Sequence, residues 1–174
     1  VLVYCVMASP DPWYRDSLTY HLSLPKLYAN AGGYVTTDEV IFAYFPQGWQ
    51  SILALFYALG SGENFPFNPR YLGVILTTAT AVGISGILQH WKTSHRWAIT
   101  GGLIFFMIPT ALEFGASCYV QSWLVMLTMY TVYIATDRSQ KTFFVGIGTG
   151  LIISLKYSGL FVLLVAIPWY ITKR

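Results

Sequence analysis

The sequence predicts an all-α fold: a polytopic transmembrane helical bundle with a large outer first loop that contains interfacial helices. Three observations predict it. Of 174 residues, 55% are hydrophobic and 10% charged, where an ordinary soluble domain carries about a quarter charged residues. The charges gather in short breaks between apolar runs, which is the membrane pattern. Several of those runs approach or reach the length needed to cross a bilayer.

The chain opens in an apolar run, Val1–Ala8, read as the end of a first helix. It is too short for a signal peptide and lacks the small-residue cleavage pattern. There is no initiator Met, and Ile171-Thr172-Lys173-Arg174 looks like the cytoplasmic edge of a helix, so the sequence is expected to be the N-terminal part of a longer transmembrane domain. Residues 9–70 form the outer loop. Its first stretch, Ser9–Tyr44, holds Asp11, Asp16, Asp38 and Glu39 among the chain's 7 acidic residues. A short helix is predicted over Arg15–Leu24. Asp16 lies near its start, where a carboxylate suits the free N–H groups, and Pro25 limits or kinks it. Gly32-Gly33 is a turn signal.

Pro46–Gly60 is an apolar helix with Pro near its first turn. At about 1.5 Å per residue it falls short of a hydrocarbon core of about 30 Å. Residues 71–171 then supply five transmembrane helices. They are Tyr71–Trp91, Trp97–Leu112 with Pro109 inside it, Cys118–Thr136, Thr142–Leu155 and Tyr157–Ile171, the last two separated at Lys156. Gly73, Gly83, Gly86 and the Gly146-x-Gly148-x-Gly150 series suggest close helix packing. No strand precedes them, so they are not a phosphate-binding glycine loop.

Basic residues set the orientation. Lys92 with Arg96, Arg138 with Lys141, and Lys173 with Arg174 occupy three breaks that share one face if the last four segments all cross. That face is then cytoplasmic. Glu113–Ser117 and Lys156 fall on the opposite, outer face, with Gly62–Arg70 and Ser9–Tyr44. Pro46–Gly60 has outside at both ends, so it lies in the outer interface, a depth that suits Trp49, Phe56 and Tyr57. The net charge of +3 includes no basic run, which excludes a nucleic-acid partner. Cys5 and Cys118 show neither a disulfide framework nor metal spacing. Cys118, near the outer face, is expected to react with a membrane-impermeant thiol reagent from outside.

The run Asp16-Ser17-Leu18-Thr19-Tyr20-His21-Leu22-Ser23-Leu24-Pro25-Lys26-Leu27-Tyr28 is followed by Gly32-Gly33 and then by Phe42-Ala43-Tyr44-Phe45-Pro46-Gln47-Gly48-Trp49. This succession resembles the first outer loop of GT-C membrane glycosyltransferases of the protein-mannosyltransferase and aminoarabinose-transferase type. Asp16, Tyr20, Gly32 and Pro46 fall on the family's positions. Arg70-Tyr71-Leu72 is similar to the start of its next helix. Pro109 through Leu127 is similar to the helix, outer turn and helix that carry a second acidic residue. Leu155-Lys156-Tyr157-Ser158-Gly159-Leu160 is similar to its Thr-Lys-Gly-x-Gly-type break. The departures are Ser17 where the family has Glu, Gln121 at the second acidic position, and Tyr44-Phe45 where a basic residue precedes the Pro-led helix. A glutamine can neither act as a base nor balance a metal's charge.

The resemblance implies an enzyme that moves a sugar from a polyprenyl-phosphate carrier to an acceptor at the outer face of a bacterial or archaeal plasma membrane. Sugar and acceptor stay open. Asp16 is the expected catalytic base, since an inverting transfer needs a carboxylate to take the acceptor's proton; its alternative role is a helix cap. His21, Lys26 and Lys156 are expected to bind the carrier phosphate, with headgroup contact or snorkelling as the alternatives. Tyr20 and Trp49 suit a sugar face, or an aromatic belt. Glu113 and Gln121 mark the second acidic site. No cofactor is assigned from these residues; a divalent cation is compatible with the resemblance, and no metal ligand is assigned. The competing functions are a non-catalytic scaffold, supported by Ser17 and Gln121, and a transporter, against which the charges sit in loops and at helix ends.

Overall fold

The structure is a computed structural model that describes residues 20–38, 40–59, 70–117, 119–136 and 142–164. Asp16 lies outside the described residues, as do Cys5, Asp11, Glu39, Cys118, the run 1–8 and the predicted last helix beyond residue 164.

The first described helix, α1, runs over Ser23–Ala31, so the expectation that Pro25 limits a helix at Leu24 is corrected, while residues 15–19 of the predicted helix lie outside the described residues. Pro25 instead sits in the first turn, where its missing N–H has no intrahelical partner to lose. Leu24, Pro25 and Tyr28 face inward. Gly32 ends α1 at φ 68°, its N–H bonding the Ala29 carbonyl while the Gly33 N–H bonds that of Tyr28. These are the two bonds of a Schellman cap, whose left-handed residue favours glycine.

A short 3-10 turn, Ile41–Tyr44, leads to α2 over Gly48–Leu59. Gln47 fastens the approach: its Nε2 donates to the carbonyls of Phe42 at 2.6 Å and Phe45 at 2.9 Å, and its Oε1 accepts from the Tyr28 hydroxyl at 3.3 Å. α1 and α2 therefore pack as a hairpin. The 12 residues of α2 reach about 18 Å, too short to cross a bilayer core.

α3 covers Arg70–His90 and α4 covers His95–Met107. α5 covers Pro109–Gly115, bent 69° from α4. The predicted single helix Trp97–Leu112 is thus two. Pro109 pushes the preceding residue out of the helical region, and Ile108 is extended at φ −66°, ψ 122°. α6 covers Gln121–Thr136 and α7 covers Thr142–Leu155, the bounds predicted for α7. The break at Lys156 is present too: its backbone is extended at φ −161°, ψ 144°, before a 3-10 turn over Tyr157–Leu160.

The all-helical class holds, with no strand among the described residues. Among them, Tyr71–His90 alone is long and apolar enough to cross a membrane by itself, and the bent α4–α5 pair adds a second span if taken as one. At about 1.5 Å per residue α6 and α7 reach roughly 24 and 21 Å, short of the spans predicted for them.

α3 packs on α4, α5 and α6, α6 on α7, and α7 on α2. One cluster joins them: Trp49 and Leu53 from α2, Leu76 from α3, Val120 just before α6, and Leu155 at the end of α7. Trp49 is fully buried there, which removes it as a sugar-stacking platform. The predicted glycine packing is partial. A Cβ at Gly73 would meet the Gly115 carbonyl oxygen at 2.6 Å and one at Gly148 would meet Thr131, whereas Gly86, Gly146 and Gly150 have open space. Gly48 was not expected to matter. A Cβ there would lie 2.7 Å from the Ser154 carbonyl oxygen, so glycine lets α2 begin directly against the end of α7.

Candidate functional site

Three helix ends meet where α2 begins against α7. The first turn of α2 brings Gln50, the start of α6 brings Tyr119 and Gln121, and the end of α7 brings Lys156. Gln50 follows Trp49, Gln121 follows Val120 and Lys156 follows Leu155, so each polar residue adjoins a member of the same apolar cluster. The segment entering α1 lays Tyr20 and His21 against this meeting point.

His21 is the hub, at 2% exposure. Its Nδ1 lies 3.2 Å from Gln50 Nε2. Its ring meets Tyr119 edge-on at 5.7 Å and Tyr20 at 4.1 Å between centroids. Burial, and after it the nearby Lys156 ammonium, lower its pKa from 6.5 to about 4. Both causes disfavour the imidazolium. At neutral pH the ring is therefore uncharged. With Gln50 Nε2 donating to Nδ1, the proton sits on Nε2, a tautomer assigned from this bond. His21 is then a hydrogen-bond donor and not a base.

Lys156 is exposed at the break after α7. The next residue, Tyr157, meets Phe45 at 5.7 Å, which closes the break against the segment before α2. Tyr20 stacks on Phe42 at 4.2 Å and 19°, so one face of its ring is already covered. Gln121 is half-buried, and its Oε1 is buried with no hydrogen-bond partner among the described residues; the same holds for Gln50 Oε1.

Three of the residues expected from sequence thus share one neighbourhood, Tyr20, His21 and Lys156; Gln121 follows Val120 of the adjoining apolar cluster. Two do not join it directly. Lys26 is on the exposed side of α1, opposite the buried Leu24, Pro25 and Tyr28. Glu113 is exposed on α5; its neighbour Phe114 meets Tyr119 at 5.6 Å, so α5 reaches the site through rings and not through its carboxylate. Among the described residues no group of three or more His, Cys, Asp or Glu is placed to hold a metal ion.

Gln50 and Tyr119 are the residues that sequence reasoning missed. The signal for Gln50 was a lone carboxamide between Trp49 and Ile52 in an otherwise apolar helix, since buried amides are held in place by specific partners. Chemically, the corner offers a lysine cation, an imidazole N–H and the buried amide oxygen of Gln50. The first two suit an anion. Searches against protein-family models, characterised proteins and solved structures find no match for this chain.

Proposed function

We propose that this chain belongs to a membrane glycosyltransferase that takes a sugar from a polyprenyl-phosphate carrier at the outer face. The observation that carries the reading is that His21 and Lys156, far apart in sequence, lie close enough for the ammonium to act on the imidazole, which Gln50 holds by a hydrogen bond. The broad exposure of large apolar side chains supports a lipid setting. Trp97 is 71% exposed, Met107 75% and Phe143 68%, and large exposed apolar surface marks a binding or membrane-facing region. In this reading several helices span together as a bundle, and α1 and α2 lie in the outer interface.

In the reaction, the Asp16 carboxylate removes the proton of an acceptor hydroxyl. The freed oxygen attacks the anomeric carbon as the bond from that carbon to the phosphate oxygen breaks. The electron pair leaves with the carrier, whose phosphate passes from one negative charge to two. In this reading Lys156 and the His21 N–H face that phosphate and stabilise the added charge more than the ground state.

Photolabelling tests the reading. A farnesyl phosphate with a photoreactive group on its first isoprene unit is expected to label residues 156–161. Farnesyl phosphate should compete and farnesol should not. Labelling elsewhere, or equal competition by farnesol, overturns the proposal. The 69° break between α4 and α5 favours a second reading, since transporters build sites on discontinuous helices. Ion-coupled uptake by reconstituted vesicles would support that alternative.

A further inference from the structure

A left-handed backbone favours glycine, and the first turn of a helix favours acids. The turn between α3 and α4 goes against both preferences with cations. Lys92 has φ 62°, alone among the described residues other than glycine. Its N–H bonds the Gln89 carbonyl and the Thr93 N–H bonds that of Leu88. These are the bonds of a Schellman cap, with lysine where glycine or asparagine is usual. Further on, Arg96 stands in the first turn of α4, which carries no acid. There its charge works against the helix dipole. Strain kept at one residue points to a function that needs the side chain.

Both cations are exposed, and so are Trp91 at 55% and Trp97 at 71%, which flank them in sequence. Neither cation has an acid beside it among the described residues. Asp38 bonds the Tyr44 hydroxyl, and Glu113 precedes Phe114, which meets Tyr119; both acids belong to the opposite end of the helices. Asp137, Arg138 and Lys141 follow α6 in sequence and lie outside the described residues.

The place of the turn narrows the partner. It follows Tyr71–His90, which is long and apolar enough to cross a membrane. α3 and α6 run parallel: Thr77 Oγ1 donates to Ser122 Oγ at 3.2 Å, and further along His90 meets Tyr133 at 5.5 Å. The turn is therefore roughly 20 Å along α3 from the level of Tyr119 and the His21–Lys156 corner. Cations alone would suit any polyanion. Two exposed indoles beside them, at the end of an apolar helix, suit a surface that is anionic above and apolar below.

We propose that the α3–α4 turn is a docking surface for acidic phospholipid headgroups, with Lys92 and Arg96 on the phosphates and Trp91 and Trp97 at headgroup depth. The surface is independent of the donor corner and works whether or not that corner binds a carrier.

The full chain in phosphatidylcholine nanodiscs tests it, with brominated phosphatidylglycerol or brominated phosphatidylcholine as the minor lipid. Bromine quenches tryptophan on contact, and the part of the signal lost in Trp91→Phe/Trp97→Phe belongs to the turn. Phosphatidylglycerol is expected to occupy the turn about fivefold or more over phosphatidylcholine, since each Lys or Arg near an anionic surface contributes roughly that factor. Lys92→Gly with Arg96→Gln should bring the preference to within about twofold, whereas Lys92→Arg should keep it. Lys92→Gly alone should melt about 2–4 °C higher, because glycine relieves the left-handed residue. A lysine kept for the fold would instead lower the melting temperature when replaced.

The absence of a phosphatidylglycerol preference overturns the proposal, and so does one that survives the double substitution. A lower melting temperature of Lys92→Gly overturns it as well. Soluble poly-glutamate that binds through Lys92 and Arg96 and displaces phosphatidylglycerol would assign the surface to an acidic protein and overturn the lipid.

Discussion

Replacing Asp16 by Asn is expected to lower the proposed sugar transfer by about 10²- to 10⁴-fold, the usual contribution of a positioned acid or base. Membrane insertion and helix content should not change. The tie to the site is covalent geometry. Asp16 is five residues before His21, so at roughly 3.3–3.6 Å per residue its backbone stays within about 18 Å of the His21 backbone. A carboxylate on that short tether is the nearest acid in sequence to the Lys156 corner. Asn keeps the size and the capping capacity but cannot take a proton at neutral pH. Transfer by Asp16→Asn at the wild-type rate, measured as radiolabelled sugar moved from the lipid carrier, would remove Asp16 as the base.

The second large effect is on stability in acid. The folded pKa of His21, about 4, lies below its ordinary 6.5. Above pH 7 neither folded nor unfolded chain binds the proton, so the shift contributes nothing. As pH falls through 6.5 the unfolded chain takes up a proton that the buried ring refuses, and the fold loses stability until the pH nears 4. Linkage puts the loss at about 2 kcal/mol by pH 5 and about 3 kcal/mol by pH 4. The thermal transition, followed by the fluorescence of Trp49 and Trp123, should therefore fall between pH 7 and 5. In His21→Gln that fall should be much smaller. Equal slopes in the two proteins would mean that His21 is not held neutral by burial.

These expectations depend on features of very different legibility. The end of α7 and the break at Lys156 were readable because a lone cation closes an apolar run, and the outcome follows from local sequence alone. Pro109 was visible as well, but its consequence was not: the proline sets Ile108 extended and splits one predicted helix into two. Pro25 misled for the opposite reason. A proline marks a helix end or a helix start with equal ease, and only the packing of Leu24 and Tyr28 against α2 selects the start.

The site was half legible. Tyr20, His21 and Lys156 were singled out by residue type and order in the chain. Their partner Gln50 was not, because what marks it is a bond to a residue 29 positions earlier, and no local pattern encodes that contact. Trp49 looked like a belt aromatic, yet it is the centre of the cluster joining α2, α3, α6 and α7, which composition could not reveal. Gly48 had no signal beyond its type; its role is set by the Ser154 carbonyl on a distant helix.

The proposed donor site requires that His21 and Lys156 jointly receive a phosphate anion. An NMR titration of the ¹⁵N-labelled His21 imidazole reads this directly, without and with a saturating glycosyl farnesyl phosphodiester, whose charge is constant across the titration. The expected result is a pKa of about 4 in the free protein and a rise of at least about one unit with the phosphodiester bound, because an adjacent anion favours the imidazolium. A free pKa near the ordinary value, or one that the bound phosphodiester leaves unmoved, would contradict it.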